Sequence, residues 1–307
     1  MHRNLAIAYA HRKPTNDDAR AIAELEKAVA LPDKYALHFT ELDELYAKAG
    51  KLPEQRLALL EQNQAIVAKR DDALSREIGL KVFARKYDEA IQLMTGRIFS
   101  VWEGGTLDVA EHWVDAHLLR GERELAAGKA AAALADFQAA GNIPDNLPSD
   151  AGAGRGHEAE IAYWTGLAHE AMGDADKARQ CWQQPASASQ EGRGRAGSGS
   201  RFNSNLSAER YYLALAQRKL GRSAQADAAL KNLLEAAKAN LEREATTGQN
   251  VQTERRSRSA GPGFSHYLAG LAHWGLGQNE AAKEQLTAAL AASPDLLGAK
   301  AALDGLR

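Results

Sequence analysis

Apolar positions along the chain recur at three- and four-residue spacing, in short stretches separated by polar turns. That is the period of helices that bury one face. The clearest stretch is 265–294, SHYLAGLAHWGLGQNEAAKEQLTAALAASP. Gly270 stands in mid-helix, where glycine costs about 1 kcal/mol against alanine and is tolerated when another helix passes close by. Gly277 stands where a helix ends in a left-handed residue. A second helix follows with Ala282, Leu286 and Ala289 on one face, and Pro294 stops it. The pattern predicts two antiparallel helices crossing at small residues.

Looser copies fill the rest of the chain. A first pair spans 4–11 and 18–31, closed by Pro32; its opening helix is short and reads as the second half of something longer, or as a trimmed end. A second covers 34–49 and 53–68, with Gly50 between its helices and Pro53 in a first helical turn. A third covers 71–84 and 87–95, joined by Arg85 and Lys86 without glycine. The fourth has Gly121 in 109–127, Gly128 as cap, and Ala133, Phe137 and Ala140 on its second helix. In the fifth, Gly166 and Gly173 precede Ala178 and Trp182, and Pro185 is expected to end the second helix a turn early. The sixth covers 207–220 and 222–244, with a stripe of Ala226, Leu230, Leu233, Leu234, Ala237 and Leu241. The stretch 265–294 is the seventh, and 295–306 reads as a capping helix.

Turns within pairs are short, whereas connections between pairs are often long: 96–106, 141–156, 186–205 and 245–263. In a stack of helix pairs these connections emerge on one edge, and insertions on one side often mark a binding side. The expected fold is all-α, a right-handed solenoid of about seven antiparallel helix pairs, forming one domain over the whole chain.

Composition narrows the function. A formal net charge of −2 gives no global field toward nucleic acid or an anionic membrane. No apolar run is long enough for a transmembrane helix, and the N-terminus is too short and polar for a secretory signal, so the cytoplasm is the expected location. Cys181 is the only cysteine, which excludes an intrachain disulfide and a cysteine-based metal cluster.

The loops hold the least ordinary residues. Trp102, Glu103, Gly104 and Gly105 place an aromatic, a carboxylate and two permissive residues together. They fit either a platform for a polar ligand such as a sugar, or a tryptophan plug between repeats. Asp145 and Asn146, between Pro144 and Pro148, fit either the same edge or simple turn chemistry. His112, His117, His266 and His273 lack metal-ligand spacing, and no cofactor motif occurs. Glu158 and Glu160 suit the dipole of a helix start. Arg193, Arg195, Arg201, Arg255, Arg256 and Arg258 lie in Gly/Ser/Thr-rich loops with few aromatics, so nucleic acid is not an expected partner.

The Gly, Ala, large apolar, Ala and Pro spacing of 265–294 resembles the tetratricopeptide repeat. FSVWEGG, DNLP, AEIAYWTGLAHEAMGD and HYLAGLAHWGLGQNEAAKEQLTAAL together resemble the C-terminal helical part of a bacterial family of unknown function. In that family a β-rich, sugar mutarotase-like domain precedes the repeats. The resemblance implies an association with carbohydrate through that domain, which this chain lacks, and the start within a unit suits a truncated chain. Pro148 stands where the family tends to have glycine. The expected function is a non-catalytic scaffold that binds a protein partner or the missing β-rich domain, using Trp102, Glu103, Gly104, Gly105, Asp145 and Asn146, with no cofactor, metal, nucleic acid or membrane. The alternative is an accessory part of a carbohydrate-active enzyme that lends this loop to a sugar site.

Overall fold

A computed structural model describes residues 1–12, 17–101, 107–148, 156–191, 206–246 and 261–306. Among the described residues every regular element is an α-helix. In order they are α1 (His2–Ala10), α2 (Asp18–Ala30), α3 (Ala36–Lys48), α4 (Pro53–Gln62), α5 (Gln64–Val67), α6 (Asp71–Phe83), α7 (Tyr87–Met94), α8 (Val109–Ala126) and α9 (Ala130–Ala140). They continue with α10 (Glu158–Ala171), α11 (Ala175–Glu191), α12 (Glu209–Lys219), α13 (Ser223–Thr246), α14 (Pro262–Gly275), α15 (Asn279–Ala292) and α16 (Leu297–Gly305). The residues form two compact units: Met1–Ala116 with Ile143–Ala153, and His117–Asn142 with Gly154–Arg307.

The helix ends follow local chemistry. The Asp17 carboxylate caps α2 by accepting from the Arg20 N–H at 3.1 Å. Proline opens α4 and α14, where a missing N–H leaves no bond unmade. Gly50, Gly128, Gly173, Gly221 and Gly277 close the first helix of their pairs with φ between 74° and 83°. In the third pair Arg85 holds the same turn at φ 64°, a left-handed conformation that costs a side chain about 1 kcal/mol. Two boundaries differ from the sequence expectation. Helix α11 continues through Pro185 to Glu191. Proline deletes one N–H donor, but its own φ is helical, so the chain can resume the helix beyond it. The helix expected over 53–68 breaks at Asn63, whose amide nitrogen donates to the Leu59 carbonyl at 2.8 Å while its oxygen accepts from Lys34 Nζ at 2.8 Å. A side chain bonding to the backbone in this way competes with the helix.

A register relates the two helices of most pairs. Seven residues before each left-handed turn lies the crossing residue of the first helix: Ile78, Gly121, Gly166, Ala214 and Gly270. Sixteen residues further on lies a buried large residue of the second helix: Met94, Phe137, Trp182, Leu230 and Leu286. At three of these crossings the contact is direct. A Cβ at Gly121 would clash with the Phe137 ring, one at Gly166 with the Trp182 indole, and one at Gly270 would stand 2.7 Å from Leu286 Cγ. Glycine here gives up helix propensity so that a large side chain can lie flat on the facing backbone.

The first unit departs from this scheme and buries charge instead. In the second pair the crossing position is Asp43, 2% exposed, which accepts from Arg56 Nε at 2.8 Å and from Arg56 Nη2 at 2.9 Å. Arg76 of α6 also donates to Asp43, at 3.2 Å, and ties the second pair to the third. On the same helix Glu77 is 1% exposed and Lys81 is 6% exposed. Lys81 Nζ lies 3.6 Å from Glu77, 2.6 Å from Glu61 and 2.7 Å from Glu89. With its amide oriented by these neighbours, Gln64 donates to both oxygens of Glu77. Burial raises the Glu77 carboxyl above its ordinary value. Burial also opposes the Lys81 charge, but hydrogen bonds to Glu61 and Glu89 raise its pKa overall.

Two stability outcomes are expected. Gly270→Leu should lower stability by about 1–3 kcal/mol in thermal unfolding despite better helix propensity, because the crossing has no room for a side chain. An unchanged midpoint would place Gly270 off the crossing. Lys81→Met should cost about 3–5 kcal/mol at neutral pH by leaving Glu77 buried without its cation. Because Glu77 binds its proton more tightly folded than unfolded, that deficit should shrink as the pH falls through the raised Glu77 pKa toward its ordinary value. A deficit that grows on acidification would contradict this.

Candidate protein-binding surfaces

The expected loop site divides between what the structure describes and what it does not. Trp102, Glu103, Gly104 and Gly105 lie outside the described residues, as do the arginines at 193, 195, 201, 255, 256 and 258. Asp145 and Asn146 are described. Asp145 is exposed. Asn146 is part-buried, and its amide nitrogen donates to the Met94 carbonyl at 3.0 Å and the Arg97 carbonyl at 2.6 Å. Its own carbonyl accepts from the Phe99 N–H at 3.0 Å, and Leu147 beside it is buried. The loop at 143–148 is therefore fastened to the segment that follows α7, within the first unit. Asn146 spends its donors on the Met94 carbonyl, which α7 leaves open at its end, and on the Arg97 carbonyl just beyond it.

The histidines are absorbed by packing and local bonds. His112 is buried with its ring against Gly79, where a Cβ would stand 2.7 Å away. His117 Nδ1 lies 2.7 Å from Asp136 Oδ1, and Arg120 Nε lies 2.9 Å from Asp136 Oδ2. Burial works against the Asp136 charge, yet hydrogen bonds from His117 and Arg120 hold its pKa below the ordinary value. His266 Nδ1 lies 2.8 Å from Gln285 Oε1. Glu158 accepts from the Gly156 N–H at 2.7 Å at the start of α10, as the dipole reading expects.

In the first unit, Glu61, Gln64, Glu77, Lys81, Glu89, Gln92 and Leu93 line a groove of about 340 Å³. Its ionic groups already satisfy one another: Glu61 takes both Lys81 and Lys86, at 2.6 and 2.7 Å. This groove joins helices and offers little unspent bonding capacity to a ligand.

The second unit presents a different surface, which the loop-centred sequence reading missed. First helices of successive pairs lie side by side, and their tyrosines form a row. The Tyr163 and Tyr212 rings are 6.0 Å apart, Tyr212 and Tyr211 are 5.1 Å apart, and Tyr211 stacks on Trp274 at 6.1 Å. Glu122 of α8 and Glu160 of α10 stand among them. Glu160 is paired with His157, whose Nδ1 lies 3.0 Å from its Oε2. Glu122 and Tyr212 are half-buried. Burial raises the Glu122 carboxyl well above the usual carboxylate range, and the neighbouring Glu160 adds to the effect. Burial likewise pushes the Tyr163 phenol up to about 12. Glu160 and Tyr163 share one helix face three residues apart, and Tyr211 holds the place of Tyr163 one pair later, each ten residues before its left-handed glycine.

Comparison with known proteins agrees with the helix pairing. The tetratricopeptide repeat family matches residues 160–184 and 210–237, which cover most of α10–α11 and of α12 with the first half of α13. Three solved structures show similarity. A tetratricopeptide repeat protein from Parabacteroides merdae is 13% identical, with 97% of each chain covered and a TM-score of 0.46. A chain of the APC/C hetero-tetramer Cut9–Hcn1 is 14% identical over 99% of this chain and 52% of its own length, with a TM-score of 0.38. The TPR domain of P58(IPK) is 12% identical over 99% and 96%, with a TM-score of 0.28. No described helix is long and apolar enough to cross a membrane. The chain is a helical protein carrying tetratricopeptide repeats.

Proposed function

We propose that this protein is a cytoplasmic, non-catalytic scaffold that binds a partner protein through the inner face of its second unit. The observation that carries this reading is the row of tyrosines on α10 and α12, in which Tyr163 and Tyr212 are half-buried and Tyr211 is buried. Aromatic side chains with polar tips suit protein recognition, since they bring large contact area at low entropic cost. Repeat proteins also offer extended concave surfaces that a partner segment can follow. A β-rich, sugar mutarotase-like domain is the partner that the sequence resemblance suggests. The carbohydrate-enzyme reading rests on Trp102 and Glu103; in the described part of that edge Asn146 is engaged by Met94 and Arg97, and Asp145 is exposed.

The test is cross-linking mass spectrometry on the chain expressed in its native cells, followed by reconstitution with the purified partner. Cross-links concentrated on α10, α12 and α14, and a complex whose affinity falls at least tenfold on Tyr212→Ala, are the expected result. A chain recovered without a reproducible partner, or a complex indifferent to Tyr212, would remove the proposal.

A further inference from the structure

We draw no further inference here: the strongest candidate, the patch of exposed apolar side chains Leu31, Tyr35, Ile98 and Val101 on the connections between helix pairs of the first unit, carries no assignment because nothing in the structure shows what covers it.

Discussion

The contact on which each repeat depends is the crossing between its two helices. Two helices can approach closely only if the residues at their crossing divide a fixed volume between them. Here the division is reciprocal. Glycine faces phenylalanine, tryptophan or leucine in the fourth, fifth and seventh pairs, alanine accompanies leucine in the sixth, and isoleucine accompanies methionine in the third. The left-handed turn seven residues after the first partner fixes where the second helix begins. Turn and crossing therefore specify each other, and stacking follows from the apolar faces that remain.

Where the crossing residue is not small or apolar, the energetics change. Asp43 occupies that place in the second pair and must be matched by Arg56 and Arg76. A buried ion pair gives up solvation that its Coulomb attraction only partly returns, so it acts more to fix register than to add stability. Glu77 and Lys81 extend the same style of packing along α6, where their partners come from α4, α5 and α7. The second unit holds a comparable buried group in Asp136 with His117 and Arg120.

Much of the fold was legible in the sequence because the crossing leaves a periodic trace. Gly166, Gly173, Ala178 and Trp182, like Gly270, Gly277, Ala282 and Leu286, announce their pairs by spacing alone. Arg85 was harder, since a left-handed turn without glycine carries no local signal. So was Asn63, whose break in the second helix depends on Lys34, twenty-nine residues away. Pro185 misled in the other direction, because a lost N–H weakens a helix without having to end it. The inner face was not legible for a related reason. Tyr163, Tyr211 and Tyr212 read as ordinary apolar positions within their own helices, and only the stacking of neighbouring pairs sets them beside Glu122 and Glu160.

The central claim is that each pair is specified by a size-matched crossing sixteen residues apart. The direct measurement is a double-mutant cycle in the sixth pair, in which Leu230→Phe and Ala214→Gly convert its combination into that of the fourth pair. Leu230→Phe alone should overpack the crossing and Ala214→Gly alone should weaken the helix, each by about 1 kcal/mol or more. Together they should be more stable than their sum by about 1–2 kcal/mol, the coupling expected of side chains that share one space. Effects that simply add would show that Ala214 and Leu230 do not share a crossing and would contradict the account.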